Sequence, residues 1–321
     1  MEKKLPSNYE EVFRLIHLSD PHLFSITNVR LRELLNKRVY AYFSWRLHRQ
    51  AEHCGEVLAA LLKDMQSLKP DHIVLTGDLT HMGLPSEFRQ AQEMLQSLGP
   101  PSKVMVIPGN HDTYVATAWE RTFRLWSDYL ASDADHCFPE AAKARNIVFP
   151  TLRVRGPIAL IGVSTACPTI PFLATGSIGK VQMKKLENIL DETRRRHLLR
   201  VVLIHHPPVP GAVSWRKRLT DQAAFQALLA RHGAELILHG HTHRTYLGHL
   251  ETPGGRVFSI GVPSASSLGR TAHRRARYHV FRLIRTESGL EMLLTVRVYS
   301  PTKQRFIDED EQQVPLPQPT G

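Results

Sequence analysis

Residues 236–243 read LILHGHTH, a short apolar run that ends in histidines two positions apart. Glu235–Leu238 has the length and composition of a buried strand. His239, His241 and His243 therefore sit at a strand's carboxyl tip. The arrangement recurs along the chain. VFRLIHL (Val12–Leu18) is followed by Asp20, Pro21 and His22, and HIVLTG (His72–Gly77) by Asp78. KVMVI (Lys103–Ile107) is followed by Gly109, Asn110, His111 and Asp112, and VVLI (Val201–Ile204) by His205 and His206. Val- and Ile-rich strands alternating with helices predict βαβ units in a sheet covered on both faces. The carboxyl ends of such strands form one rim, where ligands bind.

Apolar periodicity predicts helices over His53–Leu68, Ser86–Leu98, about Val115–Leu130, Gly179–Arg195 and Asp221–Arg231, and a further strand at Ile158–Val163. After Thr245 the runs VFSIGV, RYHVFRLI and EMLLTVRVY have no helices between them, which predicts antiparallel completion of a second sheet. No short-period repeat or linker divides the chain, so one domain is expected over residues 11–306. The acidic, then Pro/Gln-rich stretch from 307 to 321 is expected to be a disordered tail.

An apolar fraction of 42% and a charged fraction of 22% are those of a globular protein. No apolar run is long enough for a membrane-spanning helix. MEKKLPSNYEEVF lacks the apolar core of a secretory signal. Cys54, Cys137 and Cys167 fit neither a disulfide framework nor a zinc pattern, so a reducing compartment, the cytoplasm, is expected. The net charge of +11 favours polyanionic partners: nucleic acid, an anionic membrane surface or a phosphorylated substrate.

The rim residues suit a metal. Nitrogen and oxygen donors without cysteine match Mn²⁺, Fe, Zn²⁺, Co²⁺ or Ni²⁺. In an extended segment, side chains two apart point the same way, so Asp20 and His22, and likewise His241 and His243, are expected to face a common ion. Gly77, Gly109 and Gly240 are expected to allow sharp turns or close backbone approach beside them. Asp20, His22, Asp78, Asn110, His205, His241 and His243 are too many donors for one ion, which predicts two ions bridged by Asp78.

The ordered set D-P-H, G-D, G-N-H-D, H-H-P and H-G-H-T-H resembles the calcineurin-like metallophosphoesterases over Leu15–Arg244, about three quarters of the chain. One such motif alone is weak; five in this order, each after a strand, are specific. The resemblance implies an α/β fold, a four-layer α/β/β/α sandwich of two mixed sheets flanked by helices. It implies a first cation at Asp20, His22, Asp78 and His243, and a second at Asp78, Asn110, His205 and His241. Manganese is the leading candidate. The pair would lower the pKa of a bridging water and clamp a phosphodiester or pyrophosphate for in-line displacement. His111 matches the family's catalytic histidine, with Asp112 expected to orient it. Whether His205 or His206 is the ligand stays open; the family's spacing to Pro207 favours His205. His239 is expected behind the ligands or on the rim, His17 in the core, and His81 along the cleft without a direct catalytic role.

Arg30–Arg49, RLRELLNKRVYAYFSWRLHR, carries six basic residues against Glu33, with Leu31, Leu34, Leu35, Tyr42 and Trp45 at helical spacing. It reads as a helical insertion at about 28–50, packed over the rim or resting on an anionic membrane surface, which would make the protein peripheral to the inner membrane face. This insertion resembles one in the branch that hydrolyses UDP-2,3-diacylglucosamine in lipid A synthesis; cyclic-nucleotide phosphodiesterases share the metal motifs equally. The expected substrate is thus a small phosphodiester or a lipid-linked nucleotide. Nucleic acid is less favoured, since no separate DNA-binding module is evident. RRRHLLR (Arg194–Arg200), WRKR (Trp215–Arg218) and HRRAR (His273–Arg277) extend the basic surface but say little singly. A metal-free protein-binding scaffold on this fold would have lost ligands, whereas all seven positions and His111 are intact.

Overall fold

Side chains alternate between two apolar environments along the central strands, and this alternation sets the layering. A computed structural model describes residues 9–23, 38–39, 55–136, 147–269, 271–287 and 289–316. The first sheet holds β1 (Glu10–Leu18), β2 (His72–Leu75), β3 (Val104–Val106), β10 (Arg277–Thr286), β11 (Gly289–Ser300) and β12 (Arg305–Val314), ordered β12-β11-β10-β1-β2-β3. The second holds β4 (Thr151–Arg155), β5 (Ile158–Val163), β6 (Leu199–Ile204), β7 (Leu236–His239), β8 (Tyr246–Thr252) and β9 (Gly255–Gly261), ordered β4-β5-β6-β7-β9-β8. β1, β2 and β3 run parallel, as do β5, β6, β7 and β9, with antiparallel strands completing each sheet.

On β1, Phe13 and Leu15 face the other sheet, while Ile16 and Leu18 face helices. On β6, Val201 and Leu203 enter the same inter-sheet core, while Val202 and Ile204 face the opposite helical layer. Helices α1 (Gly55–Leu68) and α2 (Pro85–Leu98) cover the first sheet through Leu61, Met65, Phe88 and Leu95. Beyond a short α3 (Ser127–Leu130), α4 (Lys180–Arg195) and α5 (Gln222–His232) cover the second through Leu186, Leu190, Phe225 and Leu229. The architecture is the expected four-layer α/β/β/α sandwich. Strands buried on both faces explain the continuous apolar runs.

Three expectations need correction. The helix over Val115–Leu130 is instead two short 3-10 turns, Trp119–Arg121 and Phe123–Trp126, running into α3. Thr122 breaks the path at φ −132°, ψ −107°, and aromatic packing favours the break. Trp126 stacks on Phe88 at 4.3 Å and donates to its carbonyl, while Phe123 meets Phe88 edge-on. Second, the late runs do not together complete a second sheet: β10 and β11 extend the first sheet antiparallel to β1, and β9 pairs parallel with β7. β4, absent from the expected strands, carries arginines. Arg153 is buried, its guanidinium held by the carbonyls of Ala131, Pro101, Val104 and Asp128.

Third, the acidic stretch from Asp308 is not a disordered tail. It forms most of β12 and pairs with β11 as far as Val314, with a register shift opposite Val296 and Arg297. Its carboxylates meet arginines of neighbouring strands: Asp308 with Arg297, Glu309 with Arg277 and Glu311 with Arg282. Residues 317–321 lie outside the described residues, as does the insertion at 28–50 apart from Arg38 and Val39. Leu203 lies at the centre of the inter-sheet layer with no exposed surface. Leu203→Ala is expected to lower stability by about 3 kcal/mol in chemical denaturation, through lost burial and a residual cavity.

Candidate metal centre

The tips of β1, β2, β3, β6 and β7 converge on one rim, held together by their backbones. Asp20 N donates to Gly77 O, His22 N to Asp78 O, and Gly240 N to His205 O. Close approach is obligatory here. A Cβ on Gly240 would strike the Ser19 and Asp20 side chains, and one on Gly109 the Asp78 carboxylate.

The donors do not converge by extended alternation. Nine described non-glycine residues have positive φ, and five of them are Asp20 (54°), His22 (44°), Asp78 (54°), His241 (67°) and His243 (52°). A left-handed turn at each aims its side chain inward, at a cost on the order of 1 kcal/mol per residue. Such strain is retained where surrounding structure over-determines it. Ser264 Oγ donates to Asp20 O and Ser266 Oγ to Pro21 O, both at 2.7 Å. These serines follow β9, and nothing in their local sequence marked them.

Two donor groups result. Asp20, His22 and His243 form one; Asp78, His205 and His241 form the other. In the first, His22 Nε2 lies 3.0 Å from His243 Nε2, and Asp20 Oδ1 lies 3.2 Å from His243 Nε2 and 3.7 Å from His22 Nε2. Donors about 2.1 Å from a shared cation and at right angles to one another lie about 3 Å apart. In the second, His205 Nε2 lies 3.3 Å from Asp78 Oδ2 and 3.2 Å from Asn110 Oδ1. Asp78 Oδ2 also reaches within 4.0 Å of His22 Nε2, so it stands between the groups.

The residues fit cations on a further ground. Asp20 Oδ2 accepts from His241 N, but Oδ1 is buried with no hydrogen-bond partner. The other ring nitrogens of two histidines are anchored on carbonyls: His205 Nδ1 on Thr76 O at 2.6 Å and His22 Nδ1 on Thr80 O at 3.3 Å. This leaves Nε2 of each as the ligand atom. Burial favours the acid form of Asp78, but His205, His111 and His22 hold it well below the usual carboxylate range. Burial opposes charge on His205, yet Asp78 and Asp20 raise it to about 9. A proton on Nε2 of that ring occupies the position a cation would take.

His206 is engaged elsewhere. Its Nδ1 meets Thr165 Oγ1 at 2.7 Å and its Nε2 meets Ala174 O at 3.1 Å. Burial and neighbouring His205 lower it to about 3. His239 is fully buried at the end of β7 beside Tyr246, not on the rim. His17 is a core residue bonded to Thr76 Oγ1.

His111 stands at the edge of the first group, 4.8 Å ring to ring from His22. Its Nδ1 meets the His81 carbonyl at 2.5 Å and its backbone N donates to Asp78 Oδ1. Asp112 was expected to orient this ring, but both its oxygens are committed to backbone and hydroxyl donors. Oδ1 accepts from Thr80 N and Oγ1, and Oδ2 from Gly109 N. Burial and Asp78 push Asp112 up to about 7 against those donors. It ties two loops together, and the His81 backbone sets the His111 ring. The His81 ring, expected along the cleft, stacks on His111 at 5.5 Å and joins it and His22 in a third potential ligand group.

A sequence model described as calcineurin-like phosphoesterase matches residues 13–245. A probable cyclic nucleotide phosphodiesterase of Vesicomyosocius okutanii is 25% identical over 190 residues, 58% of this chain and 68% of that one. A cAMP/cGMP dual specificity phosphodiesterase of Mycobacterium tuberculosis is 26% identical over 234 residues, 71% of this chain and 61% of that one. Among solved structures, a dimetal phosphatase from Danio rerio superposes with a TM-score of 0.62 at 12% identity, covering 96% of this chain and all of that one. Its likeness is one of fold.

Elemental analysis of purified variants separates the adjacent histidines. His205→Ala is expected to lower bound cation from about two per chain to about one, while His206→Ala retains both. The reverse pattern would assign the ligand to His206.

Proposed function

The chain belongs to the calcineurin-like phosphoesterase family, a metal-dependent phosphoester hydrolase, and from that premise we propose that it cleaves a phosphodiester or pyrophosphate bond at a dinuclear centre. Asp20, His22, Asp78 and His243 would hold one divalent cation, and Asp78, Asn110, His205 and His241 the other. Manganese is the leading candidate. The observation that carries this reading is the orphaned Asp20 Oδ1, buried and facing two imidazole nitrogens. When bound, such a pair of cations lowers the pKa of water and neutralises phosphoryl oxygens.

The protein's own groups supply the remainder. His111 donates its Nδ1–H to the His81 carbonyl, so its Nε2 serves as a donor only when the ring is an imidazolium. In that form it donates to the leaving oxygen or stabilises developing negative charge. Neutral Asn110, where a carboxylate would also ligate, keeps the centre more positive and favours an anionic diester. Asp112 keeps Thr80 and Gly109 in register and so acts on the site indirectly.

The names of the relatives favour a cyclic nucleotide as substrate. The lipid-linked alternative, UDP-2,3-diacylglucosamine, draws on the Arg30–Arg49 insertion. The one described basic residue of that stretch, Arg38, is buried and donates to Met82 O and Gly83 O. This favours packing over the rim for its part of the insertion. No described helix is long and apolar enough to cross a membrane.

The Mn²⁺-loaded protein should turn over bis-p-nitrophenyl phosphate, with cyclic AMP and UDP-2,3-diacylglucosamine compared alongside. His111→Ala is expected to reduce kcat by about 100-fold or more, with a larger loss for poorer leaving groups. Unchanged kcat in that variant would remove His111 from the chemistry, and no turnover of any diester or pyrophosphate would remove the reading itself.

A further inference from the structure

Two short segments beside the metal centre carry apolar side chains into solvent. Among the described residues, the four most exposed large hydrophobics are Phe172 (78%), Val181 (75%), Ile170 (69%) and Trp215 (60%). Ile170 and Phe172 form the tip of a turn closed by Leu173 N to Ile170 O and by Thr169 Oγ1 to Leu173 O. Phe172 adopts φ 66°, a left-handed conformation costly for a bulky residue and usually taken by glycine. The turn thus accepts backbone strain to present an aromatic ring that the fold does not bury.

The Trp215 segment is tied alongside. Ala174 N donates to Arg216 O and Gly176 N to Arg218 O, at 2.9 and 3.1 Å. Arg216, Lys217 and Arg218 follow Trp215 directly and are exposed, and the Arg216 guanidinium lies 5.3 Å from the indole centroid. Residues 164–186 and 205–220 contain no Asp or Glu; Asp221 follows and accepts from Ser177 Oγ and Gly179 N, Lys184 pairs with Glu187 at 2.8 Å, and Lys180 adds positive charge. Aromatic and branched apolar tips ringed by Lys and Arg are the composition of a surface that enters the headgroup layer of a bilayer.

We propose that the Ile170–Phe172 turn and the Trp215–Arg218 segment form a docking surface for the face of an anionic lipid bilayer. The apolar tips insert at the boundary between headgroups and acyl chains, and the cations pair with lipid phosphates. The surface meets the candidate centre through one backbone carbonyl and the adjoining His206 through another. Lys217 O lies 3.0 Å from His241 Nε2, and Ala174 O lies 3.1 Å from His206 Nε2. Docking by this face therefore places the rim at the lipid–water boundary, where it can reach a phosphoryl group of an amphipathic molecule. Docking is independent of the hydrolytic reading and is measured without turnover.

Flotation of the full chain with vesicles of phosphatidylcholine, with or without about a third phosphatidylglycerol, tests the proposal. The wild-type protein is expected to float with the anionic vesicles and far less with the neutral ones. Ile170→Ser/Phe172→Ser/Trp215→Ser should weaken anionic-vesicle binding by about tenfold or more, as should R216E/K217E/R218E. Turnover of a small soluble diester by the serine variant should stay at the wild-type level and report an intact fold. If the triple variant fails to fold, Trp215→Ser alone should still weaken vesicle binding. No wild-type binding to anionic vesicles, or binding unchanged in the serine variants, overturns the proposal. Absence of vesicle binding together with self-association that the serine variant abolishes would instead make this face a contact between copies of the chain.

Discussion

Asp20 Oδ1 is buried, accepts no hydrogen bond, and faces the Nε2 atoms of His22 and His243. An ionised oxygen so placed costs several kcal/mol unless a compensating positive charge lies beside it. Asp78 is in a similar position, buried among His205, His22 and His111, which hold it ionised. The rim of the sandwich is therefore organised around positive charge that the fold does not itself provide in fixed form. Protonated imidazoles can supply it in part, but a ring protonated on the atom that faces the carboxylate is no longer a ligand. Divalent cations satisfy both demands at once.

The same constraint accounts for backbone strain at the rim. Left-handed turns at Asp20, His22, Asp78, His241 and His243 would together cost on the order of 5 kcal/mol if nothing compensated them. The surrounding sandwich offsets this by over-determining each loop, through bonds such as Ser264 to Asp20 and Thr80 to Asp112. Its four layers bury the strands on both faces, so their tips have little freedom to relax. Rigid strands and strained tips together preorganise the donors, which is what a catalytic centre with fixed charge needs.

Much of this was legible from the order of residues. Buried parallel strands leave continuous apolar runs, and polar residues directly after such runs stand out, so strands and candidate ligands could be read together. What was not legible depended on distant contacts. Extended alternation groups Asp20 with His22, as the structure does, but also His241 with His243, which fall in different donor groups, because a left-handed turn leaves no mark in residue type at Asp or His. The Trp119–Trp126 region has helical spacing, yet its aromatic side chains settle on Phe88 of another element. The acidic strand β12 resembles a solvated tail until Arg277, Arg282 and Arg297 are set beside it. Spacing to Pro207 only favours His205 over His206, and it is their partners, Asp78 and Asn110 against Thr165 and Ala174, that set them apart.

One surface unites the site with its surroundings: from the exposed apolar and basic segments, the Lys217 carbonyl meets the candidate centre and the Ala174 carbonyl the adjoining His206. On the proposed reading a pair of cations holds the rim donors together. Anomalous diffraction from crystals grown with Mn²⁺ tests it most directly. Two peaks are expected, one flanked by Asp20, His22 and His243, the other by Asn110, His205 and His241, with the Asp78 carboxylate between them. No peak at this rim, or density with Asp78 in contact with neither ion, would contradict the account.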